Sequence, residues 1–123
     1  MMDIIEIRQG NYVLKRSSKD IFHIDSTSNY VKVSRSPQLY EPIPIDEEWL
    51  DRLGFSLESD ERDSITYFKN AFNYYLTFDH EDIRLDFMTK QGYHCIFYDD
   101  KCMLYVHQLQ NFYHAHTGQE LTL

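Results

Sequence analysis

The sequence predicts an α+β fold in which two antiparallel β-meanders are separated by a short helix and followed by a C-terminal helix that packs on the sheet. In both halves of the chain, short runs rich in β-branched and aromatic residues alternate with turn-forming residues. Two segments instead carry helix signals, one around Trp49 and one from about Tyr105 to His116. Runs of strands separated by single helices favour antiparallel pairing over alternating βαβ units.

The length of 123 residues predicts one domain, with a β-rich subregion at 1–45 and the remaining elements at 46–123. A chain of this size buries roughly two-thirds of its unfolded surface, which is enough for one core without a metal or disulfides. The hydrophobic share of 42% and the aromatic share of 15% provide that core. No cofactor is expected.

The first third of the chain predicts a three-stranded meander, with a small closed barrel as the alternative. Residues 11–16, 21–24 and 30–33 are short β-type runs, and turn formers occupy 9–10, 17–20 and 25–29. The segment 36–44 follows as a connector. It holds all three prolines of the chain, which argue against a ladder strand because each lacks a backbone donor.

The segment after Ile45 predicts a short helix with signals at both ends. The carboxylate of Asp46 can cap the first turn, and Ile45 and Leu50 have the spacing of a hydrophobic staple. Gly54 can adopt the left-handed conformation past the helix end, so that Phe55 folds back on Leu50. A helix of about eight residues is unstable alone, so it must dock through Trp49.

The rest of the chain predicts a polar loop at 56–64, a second meander and the C-terminal helix. In the run 83–87 the alternation places Ile83, Leu85 and Phe87 on a buried face, and 79–82 is a solvated turn. Further strands are expected from 65 onward and at 73–78, 93–98 and 102–104. The last helix spans about 105–116 and stops at Gly118.

The net charge of −8 is unevenly distributed, since residues 1–45 carry +1 and residues 46–123 carry −9. The acidic balance argues against a protein that coats nucleic acid, which requires clustered lysine and arginine. No apolar run approaches the roughly 20 residues that cross a bilayer, and the first residues lack the pattern of a signal peptide. Two cysteines without a secretion signal indicate reduced thiols in a cytoplasmic protein without a membrane segment.

Five short motifs are spread along the chain. They are Arg-Gln-Gly-Asn-Tyr-Val at 8–13, Pro-Ile-Pro-Ile-Asp-Glu-Glu-Trp-Leu at 42–50, Gly-Phe at 54–55, Tyr-Val-His-Gln-Leu-Gln-Asn at 105–111 and Thr-Gly-Gln-Glu-Leu at 117–121. The combination resembles a family of small uncharacterised proteins of prophages, phages and mobile elements of gut anaerobes. The resemblance implies a bacterial or phage cytosolic setting and no particular activity.

The resemblance covers both ends and the central helix but not residues 56–70. The chain departs from the family pattern at His116, where an apolar residue is expected in the last helical turn. How deeply that turn is buried is therefore left open by the sequence.

The residues that suit metal binding or catalysis do not form a recognisable constellation. Cys95, Cys102 and His107 are weak zinc candidates because the close ligand pairs of structural zinc sites are missing. Cys95 is expected to pack as a small buried residue, with its neighbour His94 facing solvent. The sequence contains neither a nucleophile elbow nor a glycine-rich phosphate loop, so no catalytic residue is assigned and a non-enzyme is favoured over an enzyme.

Two kinds of binding surface remain. Small β-modules can stack bases on aromatic rings beside basic residues, so weak nucleic-acid binding is one alternative, with candidates Tyr12, Lys15, Arg16, Tyr30, Lys32 and Arg35. A protein-interaction module fits the acidic surface better. Its partner would be a basic protein or a second copy of the chain. The candidates lie on an amide-rich face of the last helix: His107, Gln108, Gln110, Asn111 and His114.

Overall fold

The structure, a computed structural model, describes residues 7–61, 64–69, 74–79, 82–89, 91–101 and 104–123. It confirms the α+β class, with two antiparallel sheets and three helices among these residues. The chain divides into two compact units. Unit 1 contains residues 7–44 and 105–122, and unit 2 contains residues 45–104 and Leu123. No helix in the described part of the chain is long and apolar enough to cross a membrane.

Unit 1 contains a three-stranded antiparallel sheet in the order β2-β1-β3. The strands are β1 (Tyr12–Lys15), β2 (Ile21–His23) and β3 (Tyr40–Glu41). The first two confirm predicted strands. The barrel alternative was wrong, because β2 and β3 end this sheet and nothing in the described ranges closes it. The core of the unit is a cluster formed by Ile7, Val13, Ile24, Val33 and Tyr40.

The third predicted strand, 30–33, was wrong, because this segment belongs to helix α1 (Thr27–Arg35). The side chain of Ser26 caps the helix by accepting a hydrogen bond from the backbone N–H of Asn29 at 3.1 Å. The run of small polar residues before Tyr30 is therefore a helix start and not a turn. Helical spacing places Tyr30 and Val33 together against the core, which outweighs the β preference of the valines.

The connector 36–44 contains β3, although its prolines argued against a ladder strand. Pro37 begins a short 3-10 turn (Pro37–Leu39), and the two residues that follow pair with β1 in the register Leu14–Glu41 and Lys15–Tyr40. Pro42 and Pro44 come after this pairing. Since β3 ends the sheet, a proline beside it removes no ladder hydrogen bond.

Helix α2 (Glu47–Arg52) confirms the predicted central helix at both ends. Asp46 accepts a hydrogen bond from the backbone N–H of Trp49 at 2.8 Å. Gly54 has a φ of +87°, and its N–H donates to Asp51 while the N–H of Phe55 donates to the carbonyl of Leu50. This pair of bonds is a Schellman motif, which accounts for the sharp end of the helix. Trp49 is 7% exposed, so its ring lies in the core.

Unit 2 contains a five-stranded antiparallel sheet in sequence order, which confirms and extends the second meander. Its strands are β4 (Ser56–Glu61), β5 (Ser64–Lys69), β6 (Tyr74–Asp79), β7 (Asp82–Thr89) and β8 (Gly92–Asp99). The loop predicted at 56–64 was wrong over β4, which pairs with β5. Of the predicted strand 102–104, residues 102 and 103 lie outside the described residues, and Leu104 is not in a strand.

The two faces of the five-stranded sheet differ in chemistry. One face carries Tyr74, Leu76, Ile83 and Leu85, which are at most 1% exposed, and Phe87 on the same face is half-buried. The predicted inward face of the run 83–87 is thus confirmed. Residues of the opposite parity, among them Arg84 and Asp86, point to the other face.

Helix α3 (Val106–Thr117) confirms the predicted C-terminal helix, and Gly118 ends it with a φ of +74°. The helix contacts β1 of the three-stranded sheet. Its last turn is exposed at His114, Ala115 and His116, so the polar residue at 116 faces solvent.

Candidate functional site

The amide-rich face predicted on α3 is not a single surface. His107 is 1% exposed and Gln110 is fully buried, so both lie in the interior. The prediction that these two side chains belong to a docking surface was therefore wrong. Amide spacing along a helix does not show which polar residues face inward, because a buried amide is accommodated wherever backbone groups satisfy it.

Gln110 is buried because its side chain satisfies three backbone groups within unit 1. Its Oε1 accepts from the N–H of Tyr12 at 2.9 Å, and its Nε2 donates to the carbonyls of Gly10 and Leu121, each at 2.9 Å. Asn111 adds a bond beside it, since its Oδ1 accepts from Asn11 Nδ2 at 2.9 Å. This arrangement gives Gln110 a structural role that joins α3 to β1 and to the C-terminal residues.

The remaining candidates on α3 are more accessible. Gln108 is half-buried, and its Oε1 accepts from the N–H of Tyr105 at 3.0 Å, which caps the start of the helix. His114 is exposed, with its Nε2 3.7 Å from Oε1 of Glu120. Arg8 holds the same carboxylate at 2.7 Å. Only His114 of the predicted set therefore presents an open side chain for a partner.

The aromatic residues of the nucleic-acid alternative belong largely to the core of unit 1. Tyr12 is 6% exposed, and its ring stacks on that of His23 with centroids 4.3 Å apart. Tyr30 is half-buried and packs against the core cluster. Neither ring stands open for a base to stack on.

The basic residues of that alternative are exposed but partly engaged. Arg16 donates to the carbonyls of Gln38 and Tyr40, and Glu41 accepts ion pairs from both Arg16 and Lys19. The ammonium group of Lys15 lies over the ring of Phe22 at 5.5 Å. Lys32 and Arg35 are exposed on α1. The structure therefore gathers no cluster of unengaged bases beside an open ring among the described residues.

The zinc candidates are not brought together in the described part of the chain. Cys95 is exposed on β8 of unit 2, His107 is buried in α3 of unit 1, and Cys102 lies outside the described residues. The described ranges hold no group of three His, Cys, Asp or Glu side chains that could hold a metal ion. The expected burial of Cys95 was wrong: it lies on a terminal strand, and His94 beside it is exposed as predicted.

A concavity with a volume of about 740 Å³ lies on the polar face of the five-stranded sheet. A row of side chains crosses its floor, one from each of the strands β5 to β8. Each residue is the register partner of the next, in the order Thr66, Thr77, Arg84 and Tyr98. The hydroxyls of Thr66 and Thr77 are 3.3 Å apart. We call this concavity the sheet groove; its other lining residues are Glu58, Tyr75, Asp79, Asp82 and Asp86.

Carboxylates dominate the electrostatics of the sheet groove, since the lining that the structure describes holds four carboxylates and a single guanidinium. Asp79 and Asp82 are direct cross-strand partners at the end of β6 and the start of β7. Like charges directly opposite one another destabilise a sheet. The hydroxyl of Tyr98 donates to Oδ2 of Asp82 at 2.8 Å, and this hydrogen bond raises the pKa of Tyr98 above its ordinary value.

Arg84, the one cation among the described lining residues of the groove, is already engaged. Nε of Arg84 lies 2.9 Å from Oδ1 of Asp86, and this hydrogen bond, with the attraction of the carboxylate, raises the pKa of Arg84. Asp86 is 7% exposed, whereas the side chain of Arg84 is 52% exposed. The pair therefore neutralises Asp86 and leaves the negative charge of the other three carboxylates in place.

The run 83–87 carries information about both faces of the sheet. Its alternation predicts the buried face, and the same alternation places Arg84 and Asp86 on the opposite face. That signal does not extend to Asp79 and Asp82, which the sequence assigns to a solvated turn. Their position beside the groove depends on the pairing of β6 with β7.

Comparison of the chain with family profiles, curated proteins and solved structures finds no match in any of the three.

Proposed function

We propose that this protein is a non-enzymatic interaction module of a phage or mobile element, acting in the cytosol, whose sheet groove binds a basic segment of a partner protein. The observation that carries the proposal is the facing pair Asp79 and Asp82. Two carboxylates opposed across a strand pair cost stability, and a lysine or arginine bound between them would remove that cost. The family resemblance supports the phage setting, and the low cysteine content supports the compartment.

The charge of the surrounding unit favours the same partner. The sequence of unit 2 contains 14 acidic and six basic residues, so it accounts for the whole net charge of −8, and the rest of the chain sums to zero. A basic segment would be drawn towards unit 2 over the range of a Debye length, about 10 Å at 0.1 M salt. A nucleic acid would be repelled from it.

The aromatic rings of the groove add to the selection of a basic ligand. Tyr98 is 57% exposed, and Tyr75 lines the groove two strands away. The face of a tyrosine ring attracts an arginine guanidinium or a lysine ammonium group. Carboxylates with adjacent rings thus suit arginine and lysine side chains of an extended segment.

The test is binding of a fluorescein-labelled dodecapeptide of alternating arginine and serine, followed by fluorescence anisotropy. We expect wild-type protein to bind this peptide and not its glutamate–serine counterpart. The variant Asp79→Lys should weaken binding by about tenfold, because it places a cation in the groove. It should not destabilise the fold, since it removes the repulsion from Asp82.

The matched control is Asp20→Lys, which makes the same charge change at an exposed site in unit 1. We expect it to change the affinity by less than twofold. Equal effects of the two variants would mean that the peptide senses only net charge, and the proposal would be wrong. Binding of labelled oligo(dT) at low salt would favour the nucleic-acid alternative. Light scattering that shows more than one chain per particle without peptide would identify a second copy as the partner.

A further inference from the structure

A second concavity lies in unit 2, between helix α2 and strands β4 and β5, with a volume of about 460 Å³. Phe55, Leu57 and Tyr67 supply its apolar lining, and Glu47, Glu48 and Asp51 supply its acidic rim. We call it the helix groove. It lies on the opposite face of the sheet from the sheet groove. Leu57 pairs with Tyr67 and Tyr67 with Leu76, which puts all three on the buried face of the sheet.

The lining of the helix groove continues a row of core residues. This row runs across strands β4 to β7, where the successive register partners are Leu57, Tyr67, Leu76 and Leu85. Leu76 and Leu85 are fully buried, whereas Leu57 at the end of the row is 53% exposed. Among the described residues, the apolar row thus ends in an uncovered leucine on a terminal strand. Covering that side chain would bring a further hydrophobic gain.

The acidic residues of the rim do not all stabilise α2. Glu47 and Asp51 are four residues apart on one face of the helix, where like charges repel. The carboxylate of Glu47 stabilises the helix because it lies at the positive end of the helix dipole. Asp51 does not, because it lies towards the negative end. Neither has a lysine or arginine at ion-pair distance in the described part of the chain.

The nearby cations of unit 2 have other contacts. The guanidinium of Arg52 lies over the ring of Trp49 at 5.4 Å. The Nζ of Lys69 donates to the carbonyl of Leu53 at 3.1 Å, and burial lowers the pKa of this amine. The field of the rim also reaches the groove floor. The pKa of Tyr67 is raised first by burial and then by the charges of Glu47 and Asp60.

We infer that the helix groove is a second docking site, which takes an aliphatic side chain flanked by lysine or arginine from a basic amphipathic segment of a partner protein. The aliphatic group packs on Leu57 and Tyr67, and the flanking cations face Glu47 and Asp51. A second copy of the same groove is excluded as the occupant by like-charge repulsion. The site is separate from the sheet groove, so neither depends on the other.

The experiment uses a labelled dodecapeptide of lysine and serine with one central leucine, and a second peptide with serine in place of that leucine. We expect the leucine peptide to bind the full chain about tenfold more tightly than the serine peptide, as for partial burial of one leucine. Leu57→Ser should abolish this difference. Asp51→Asn should weaken the leucine peptide about two- to fivefold, as for one exposed charge pair.

Matched controls separate the site from general effects. Leu39→Ser removes a leucine that is 58% exposed in unit 1, and Asp20→Asn removes one exposed carboxylate there. Leu39→Ser should leave the preference for the leucine peptide unchanged, and Asp20→Asn should weaken the affinity for that peptide less than Asp51→Asn does. Circular dichroism checks that each variant is folded. If Leu57→Ser is not folded, the comparison of Asp51→Asn with Asp20→Asn decides.

The two proposed sites can fail separately. If the preference for leucine survives Leu57→Ser, and Asp51→Asn weakens the leucine peptide no more than Asp20→Asn does, the helix groove is not the site and the inference is overturned. If Asp79→Lys leaves the arginine–serine peptide bound while Leu57→Ser abolishes the preference for leucine, the sheet groove fails and the helix groove stands. Equal binding of both lysine peptides to wild-type protein would also overturn the inference.

Discussion

The side chain of Gln110 on α3 and the backbone N–H of Tyr12 on β1 are joined by a hydrogen bond of 2.9 Å in the interior of unit 1. The same amide donates to the carbonyls of Gly10 and Leu121, which are far apart in sequence. A single side chain thus satisfies backbone groups of three segments. Buried backbone groups need hydrogen-bond partners, so the bonds of this amide have a structural role in unit 1.

We therefore expect Gln110→Leu to lower the free energy of unfolding by at least about 2 kcal/mol. The substitution keeps the approximate volume but leaves buried backbone groups without partners, at about 1–3 kcal/mol for each. Urea denaturation followed by circular dichroism measures the loss. Gln108→Leu is the control on the same helix, because that side chain makes one bond, to the N–H of Tyr105. A loss at Gln110 no larger than at Gln108 would contradict the structural role.

The second prediction concerns Gly54, whose φ of +87° follows helix α2. A Cβ at this position would lie 2.6 Å from Nζ of Lys69. Gly54→Ala therefore costs about 1–2 kcal/mol for the left-handed backbone. It costs about 0.5–1.5 kcal/mol more if Lys69 must give up its hydrogen bond to Leu53. The measurement is the free energy of unfolding from urea denaturation.

Gly118 provides a matched control for Gly54. It also follows a helix in the left-handed region, with a φ of +74°, but no heavy atom lies within 4 Å of a Cβ built there. Gly118→Ala should show only the backbone cost. The excess cost at Gly54 should disappear when Gly54→Ala is made in a Lys69→Met background. If the excess persists there, displacement of Lys69 is not its cause.

The helix ends were predictable from sequence because their signals are local. Asp46 and Gly54 lie within a few residues of the backbone groups that they satisfy, so their roles can be read from spacing. The same kind of signal is present at α1 but predicts a turn equally well, since Ser26 stands in a run of turn formers. A helix cap and a turn use the same residue types, and only the conformation of the next few residues distinguishes them.

The strands that the sequence did not predict, β3 and β4, depend on pairing with other strands of the chain. Apart from Leu57, residues 56–61 are polar and lack alternation, and they form β4 because β5 offers a pairing edge. Tyr40 and Glu41 form β3 because β1 lies beside them. For the same reason the sheet groove could not be predicted. Asp79 and Asp82 were predicted in a solvated turn, and their alignment with Arg84 and Tyr98 depends on the register of three strands, β6 to β8.

The third prediction concerns Glu41, which links two cations of unit 1. Lys19 and Arg16 both form ion pairs with it. The hydrogen bond from Lys19, with the charges of Lys19 and Arg16, lowers the pKa of Glu41 below its ordinary value of 4.5. A carboxyl group whose pKa is lower in the folded state stabilises the fold above its unfolded pKa. This stabilisation is lost as the pH falls through the folded pKa.

We expect Glu41→Gln to be less stable than wild type at pH 7, and the difference to shrink as the pH falls below about 4.5. Urea denaturation from pH 7 to pH 3 measures it, and high salt should reduce the difference because the group is exposed. Lys19→Met should show the same trend. The double variant should lose less than the sum of the two single variants, since both remove one interaction. A difference that stays constant down to pH 3 would mean that the ion pairs of Glu41 do not stabilise unit 1, because protonation of the carboxylate must abolish them.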